Sequence, residues 1–480
     1  MRVLLVQPPH IYPHGTRMPD CFPLSLGYIA SVLRDEHEVE VLDIWGKELS
    51  ESEVLKQLKK LKENDYDAVG ITAMSTQYNY VKWLANEIKK YSNAKIVVGG
   101  ALATHSTKLL LENTKADFAV IGEGEITFLD LLKHVDEPKK VNGLAFKHRT
   151  VVRTPPRDYI KDLDSIPFPA WDMFPIEKYI NRSITRDDGR KMGVIAGRGC
   201  PYDCTFCSKS FSGVRIRSAK NIADEIRELK KRYNIRFIEF LDELVVVSKK
   251  RIFELCNELE KLDIQWSCQG RLNIVDHEML ERMKKAGCKR IGYGIESGSP
   301  KIIEIMNKRI DLEQAEKVIA DTDKVGITMV PQLMFGMVGE TSETLQETIS
   351  FCKRAHVGIQ GMFTATPLPN TWLYDYAIKN GLIKDELKYL EGLTGCDVLY
   401  VNLTEFPDSE FDKIKAETVK AIIRNYSLYR MSHPKLLWKD YTHKLKRAYY
   451  YIQDFGIKKF MQTIIKAARS NPNLFFSKEF

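Results

Sequence analysis

Three cysteines, Cys200, Cys204 and Cys207, stand within eight positions, directly after an apolar run at residues 192–196. Thiolates are soft ligands suited to zinc or iron–sulfur chemistry. A structural zinc site wants four protein ligands in paired spacing, and the sequence offers no fourth ligand nearby. Three thiolates can instead hold three irons of a [4Fe–4S] cluster, which leaves the fourth iron free to bind a small molecule. Gly197 and Gly199 let the backbone approach such a cluster, and amides there can hydrogen-bond its sulfides. The remaining cysteines, Cys21, Cys256, Cys268, Cys288, Cys352 and Cys396, are scattered and read as free thiols, so a single cluster is expected.

Charged residues recur after later apolar runs. Asp242 and Glu243 follow residues 237–241, Arg271 follows residues 265–268, and Glu296 with Ser297 follows residues 290–295. Carboxylates suit a cationic ligand and a guanidinium suits a carboxylate. Phe206, beside the last cysteine of the loop, offers an aromatic face.

The elements that must position these groups are strands alternating with amphipathic helices, the pattern of a parallel sheet covered on both faces. Residues 1–138 carry a first such series, with glycines closing its strands at Gly99-Gly100 and Gly122-Glu123-Gly124. Residues 139–188, containing Pro155, Pro156, Pro167, Pro169 and Pro175, read as a linker. Residues 189–384 hold six further strand–helix units, enough for a partial or full barrel with its chemistry at the C-terminal strand ends. Residues 385–480 read as mostly helical.

The chain has 480 residues and a net charge of +8. From Arg424 to Phe480, twelve basic residues face three acidic ones, so the excess is local to the C-terminus. That excludes a basic nucleic-acid surface over the whole chain, and no nucleic-acid partner is expected. Leu436, Trp438, Tyr441, Leu445, Tyr449 and Ile452 fall on one helical face among lysines. Two readings fit: a helical cap with a solvated lysine face, or a basic amphipathic surface for peripheral contact with anionic membranes, which would suit a lipid or other apolar substrate. Without a signal peptide or an apolar run of about 18 residues, a cytoplasmic enzyme is expected.

The cysteine spacing resembles the signature of the radical S-adenosylmethionine (SAM) superfamily, and the likeness extends along the barrel. Phe240-Leu241-Asp242-Glu243, Trp266-Ser267-Cys268-Gln269-Gly270-Arg271, Gly294-Ile295-Glu296-Ser297-Gly298-Ser299, Gly336-Met337-Val338-Gly339-Glu340-Thr341 and Pro367-Leu368-Pro369-Asn370-Thr371 resemble that family's second to sixth strand motifs. The resemblance implies that Phe206, Asp242, Glu243, Arg271, Glu296 and Ser297 hold SAM. Residues 1–138 resemble the Rossmann-like cobalamin-binding domain of one radical SAM class, through Pro23–Ala30, Val69–Thr72, Val98–Gly100 and Ile121–Glu125, with Asp164–Phe174 resembling its interdomain connector. This implies a cobalamin site at Thr72, Ser75, Thr76, Gly99, Gly100, Gly122, Glu123 and Gly124. The Asp-x-His-x-x-Gly motif that supplies histidine to cobalt elsewhere is absent, since Asp35-Glu36-His37-Glu38-Val39-Glu40 ends wrongly and runs into a strand.

The class implies reductive SAM cleavage to a 5′-deoxyadenosyl radical, fed by a low-potential donor of the flavodoxin or ferredoxin type. C-methylation of an unactivated carbon, with cobalamin as methyl carrier, would follow. The alternatives are a radical cyclase or C–C bond-forming enzyme on a lipid or tetrapyrrole, or, in another class, a non-catalytic cobalamin or iron–sulfur sensor.

Overall fold

The computed structural model describes residues 1–12, 15–16, 21–181, 189–359 and 361–433, together with residues 449, 457 and 461. The amphipathic C-terminal faces expected beyond residue 433 otherwise lie outside the described residues.

The first sheet holds β1 (Arg2–Gln7), β2 (Glu38–Asp43), β3 (Ala68–Thr72), β4 (Lys95–Gly99), β5 (Phe118–Val120), β6 (Leu144–Lys147) and β7 (Val151–Arg153). Their order is β2-β1-β3-β4-β5-β6-β7. The strands from β1 to β5 pair in parallel, while β6 and β7 are antiparallel. Residues 144–153, expected to lie in the linker, thus extend the sheet. Leu144, Ala145 and Phe146 are all buried there, and the Pro155-Pro156 break comes only afterwards.

One face of this sheet packs on the helix Leu24–Leu33 and on linker residues Trp171, Phe174 and Tyr179. A Cβ at Gly27 would sit 2.9 Å from Pro169, so the connector lies directly on that helix. The same apolar core continues without a break into the helices around the second sheet. Leu390 and Leu393 join the core on the other side of the first sheet, where their helix packs on the helix Tyr78–Tyr91. The helix Glu386–Gly392 therefore straps back from the end of the barrel, and Glu391 pairs with Lys82 at 2.9 Å.

The second sheet is β8 (Lys191–Val194), β9 (Phe237–Phe240), β10 (Gln265–Gly270), β11 (Cys288–Glu296), β12 (Thr328–Phe335) and β13 (Phe363–Thr364), all parallel and in sequential order. This is the expected partial barrel, a half-open (β/α)6 arrangement. Its crossover helices carry their own start signals: Ser218, Ser248, Asp276, Asp311 and Thr341 each cap the helix that follows. The helix Asp408–Met431 lies against the far edge, with Phe411 edge-on to Phe335 at 4.7 Å. Among the described residues, no helix is long and apolar enough to cross a membrane.

Candidate active site

The three cysteines lie on a loop after β8 whose base is pinned by a short antiparallel pair, Gly197–Arg198 with Arg215–Ile216. Gly199 has φ +87, and a Cβ there would stand 2.3 Å from the Gly213 carbonyl, so the turn accepts only glycine. The loop is also held from the barrel. The Thr205 amide donates to Met306 O at 3.1 Å, and Leu373 N donates to Thr205 O at 3.2 Å. All three thiols are free; Cys200 and Cys204 are half-buried and Cys207 is exposed. Although Cys207 is open to solvent on one side, desolvation of its thiol by the surrounding loop, reinforced by the Glu243 carboxylate, pushes it up to about 11. Among the described residues, no three His, Cys, Asp or Glu side chains converge on a single ion.

Of the expected SAM residues, the structure gathers three. Arg271 places Nη1 3.8 Å from Cys204 Sγ and stacks 3.5 Å above the Tyr202 ring. Glu296 sits at φ +66, an uncommon conformation for a side-chain-bearing residue, and its Oε1 is 2.7 Å from Lys308 Nζ. Lys308 lies 5.6 Å from the Phe206 ring centroid, and its carbonyl accepts from Arg271 Nη2. Lys308 thus links Phe206, Arg271 and Glu296. It escaped sequence reasoning because it lies in a loop, nine residues beyond the strand motif.

Gly294 makes room for this group: a Cβ there would be 2.3 Å from Glu296 Oε1. Asp242 and Ser297 are committed to the framework. Both Asp242 oxygens accept the Ala196 amide, at 2.9 and 2.8 Å, and burial pushes this carboxyl up to about 7. Ser297 Oγ meets Thr348 Oγ1 at 3.0 Å and accepts the Ser299 amide. Glu243 remains on the open side, lining a cavity.

That cavity, about 500 Å³, lies between the C-terminal ends of the first sheet and the cysteine loop. Thr72, Gly99, Gly100, Gly122 and Gly124 line it; Ser75, which is buried, and Thr76 do not. A Cβ at Gly99 would meet nothing within 4 Å. At Gly100, φ is +82 and a Cβ would be 2.6 Å from Ala73 O, so this turn requires glycine. Tyr28 and Trp45 supply aromatic walls.

Glu123 also lines the cavity, and its carboxylate is engaged by neighbouring groups of the protein. It accepts from Arg198 at 2.6 Å, from Arg215 at 2.8 Å and from the Ile160 amide at 2.7 Å. Glu125 takes the other arm of Arg198 at 2.6 Å. Burial opposes the charge on Arg198, but Glu125 and Glu123 outweigh it and hold the guanidinium protonated. Two carboxylates of the first domain therefore grip the base of the cysteine loop. A second grip comes from His105, whose ring nitrogens lie 2.9 Å from Ser208 Oγ and 3.0 Å from Lys209 O. Arg198, Arg215, Glu125 and His105 were not singled out in the sequence; their partners are 73 to 104 residues away, which no local pattern exposes.

Comparison with known proteins agrees with this architecture. Residues 194–352 match the radical SAM superfamily and residues 15–132 match the B12 binding domain. The chain is 34% identical to an uncharacterized methyltransferase of Pyrococcus horikoshii, over 92% of this chain and 94% of the relative. It is 31% identical to an anaerobic magnesium-protoporphyrin IX monomethyl ester cyclase of Rubrivivax gelatinosus, over 78% of this chain and 69% of the relative. The fold is shared with the radical SAM methyltransferase TsrM from Kitasatospora setae, solved with cobalamin and a [4Fe–4S] cluster (TM-score 0.67, 20% identity, 80% of this chain and 75% of that one). With a cysteine loop on a parallel half-barrel and a glycine-floored cavity above it, this chain belongs to the radical SAM superfamily, in the group that carries a B12-binding domain.

Proposed function

We propose that this protein is a cobalamin-dependent radical SAM C-methyltransferase acting on an unactivated carbon. One observation carries the reading: the cavity lined by glycines of the first domain is also lined by Gly197, Arg198 and Gly199 at the base of the cysteine loop and by Glu243 of the barrel. When bound, the cluster supplies the electron that cleaves SAM, and cobalamin supplies the methyl carrier. The chain's own residues bind, orient and shield. Cys200, Cys204 and Cys207 hold the cluster. Arg271 offers its guanidinium to the SAM carboxylate, Glu296 its carboxylate to the ammonium, and Phe206 its ring to the adenine. Asp242 fixes the strand ends beneath them. Thr72, Gly99, Gly100, Gly122 and Gly124 would give the corrin close backbone approach, and Ser75 and Thr76, just outside the cavity lining, would serve its nucleotide tail. The Glu123–Arg198–Glu125 grip keeps the two sites in register, and the apolar cavity wall limits water at the radical.

Electrons come in this reading from a low-potential flavodoxin or ferredoxin in the cytoplasm. A peripheral membrane contact would rest on the basic C-terminus. The experiment is anaerobic reconstitution with iron, sulfide and hydroxocobalamin, followed by iron and corrinoid counts and transfer of a labelled methyl group from SAM. About four irons and one corrinoid per chain, with label in product, are expected. Iron without corrinoid removes methyl transfer and favours the second reading, a radical cyclase, which the similarity to the Rubrivivax gelatinosus cyclase supports.

A further inference from the structure

The segment that carries the three cysteines is held at both ends by the first domain. Ahead of it, Arg198 stands two residues before Cys200 and pairs with Glu123 and Glu125. Behind it, Ser208 follows Cys207 directly, and Ser208 and Lys209 both meet His105. The partners fix the proton at this contact. The Lys209 carbonyl can only accept, so His105 Nε2 carries the ring proton. Burial lowers the pKa of the imidazole and keeps it neutral, so Nδ1 accepts from the Ser208 hydroxyl. The same Ser208 Oγ lies 3.2 Å from the Pro369 carbonyl, where the first domain, the cysteine loop and the turn after β13 meet. Lys209 spreads the hold across the loop. Its Nζ donates to Tyr202 O at 2.8 Å and pairs with Asp203 at 2.6 Å, which closes residues 202–209 into a ring containing Cys204 and Cys207.

His105 ends the short helix Ala101–His105, and the rest of that helix is built into the cavity floor. Gly100, Ala101 and Thr104 line the cavity. Leu102 N donates to Ala73 O at 3.0 Å, Thr104 Oγ1 accepts the Gly122 amide at 3.1 Å, and Ala73 and Gly122 line the cavity too. Leu102 and Ala103 are fully buried, so the helix cannot tilt without moving these turns.

We infer that His105 is a positioning residue for the iron–sulfur cluster, and that filling the corrin cavity steadies the cysteine loop through it. The inference rests on the cofactor set of the reading above. A corrin against Gly100, Ala101 and Thr104 would fix the turns that carry the helix, and His105 would pass that restraint to Ser208 and Lys209. Such coupling is reciprocal, so a loaded cluster should in turn tighten corrinoid binding.

The test uses the full chain reconstituted anaerobically with iron and sulfide, and follows iron loss to a chelator with and without hydroxocobalamin. Without corrinoid, His105→Ala should lose iron about fivefold faster than the parent chain. His105→Gln, which can still donate to the Lys209 carbonyl, should recover part of the difference. Ser208→Ala removes only the Nδ1 contact; added to His105→Ala it should speed loss no further, because both changes delete one interaction. The electron paramagnetic resonance spectrum of the reduced cluster should change in His105→Ala and return towards the parent in His105→Gln, which a general loss of stability would not produce. Hydroxocobalamin should slow iron loss about fivefold in the parent and leave His105→Ala unaffected. Its Kd should be lower for the cluster-loaded than for the metal-free parent, and equal for both forms of His105→Ala. Near-ultraviolet circular dichroism reports whether each variant folds; if His105→Ala does not, His105→Gln and Ser208→Ala carry the comparison. Parental rates of iron loss in the folded variants overturn the inference. So does corrinoid that binds the parent without slowing iron loss, or that protects His105→Ala equally well. A parent chain that takes up no corrinoid ends the methyltransferase reading and the protection with it, while the corrinoid-free rates still decide the role of His105.

Discussion

Replacing Arg198 by methionine tests whether the first domain holds the base of the cysteine loop. The guanidinium is 9% exposed and its partners Glu123 and Glu125 are 4% and 6% exposed, so solvent screening is slight. Removing one partner of a buried pair costs roughly 3–5 kcal/mol, because the other charge is left behind. Glu123 keeps Arg215 and the Ile160 amide, whereas Glu125 loses the partner described for it. The loss should therefore fall at the low end, about 3 kcal/mol. Adding Glu125→Gln to Arg198→Met removes the stranded charge and should return about 1–2 kcal/mol. Urea unfolding of the metal-free chain under anaerobic conditions measures both, and the continuous core across the two domains favours a single transition. Arg198 lies two residues before Cys200, so the single variant should also retain less iron after reconstitution. A change in Arg198→Met below about 0.5 kcal/mol, or further destabilisation on adding Glu125→Gln, would refute the reasoning.

Three further outcomes are expected. Gly99→Ala places its methyl in open space and should keep stability while lowering corrinoid uptake. Gly100→Ala should itself destabilise by about 1–3 kcal/mol, since its methyl would meet the Ala73 carbonyl; equal corrinoid uptake by Gly99→Ala and the parent chain would move the cofactor elsewhere. Glu340 is buried, accepts the Gly336 amide at 2.5 Å and has its carboxyl pushed up to about 7. The folded chain holds this proton more tightly than the unfolded one, so the associated stability is complete below about pH 4.3 and is lost as pH rises through 7. Glu340→Gln should flatten the fall in urea midpoint between pH 5 and pH 8, and parallel profiles would contradict this. Lys308→Met should reduce SAM binding measured by equilibrium dialysis while leaving iron content intact, because Lys308 touches Phe206, Arg271 and Glu296 but no cysteine.

The placement of the candidate site residues was legible where they follow a strand. Strands end in exposed loops, and hydrophobic periodicity marks those ends. Cys200, Cys204, Arg271, Glu296 and Gly99 were found in this way. Legibility failed in two situations. One was local: Leu144–Arg153 sits among prolines and lysines, and its short alternating runs look like linker until a neighbouring sheet edge is known. The other was long-range. Glu123 reads as a turn residue beside two glycines, and it is the approach of Arg198 and Arg215 at the base of the cysteine loop, with the Ile160 amide, that gives its carboxylate an occupation. Asp242 and Ser297 show the same limit from the other side. They stand at the ends of β9 and β11 as expected, and their side chains bond Ala196 and Ser299.

The strap formed by Glu386–Gly392, together with the apolar core that runs unbroken beneath both sheets, bears on how quickly bound groups exchange. A hinge would let the two halves swing apart and admit a large planar molecule in one motion. Here opening must pull Leu390 and Leu393 out of the core shared with the first domain and break the Arg198 grip at the same time. Whatever fills the cavity should therefore enter slowly and leave slowly, and survive gel filtration. Its half-life on the protein should shorten when the Lys82–Glu391 contact is removed.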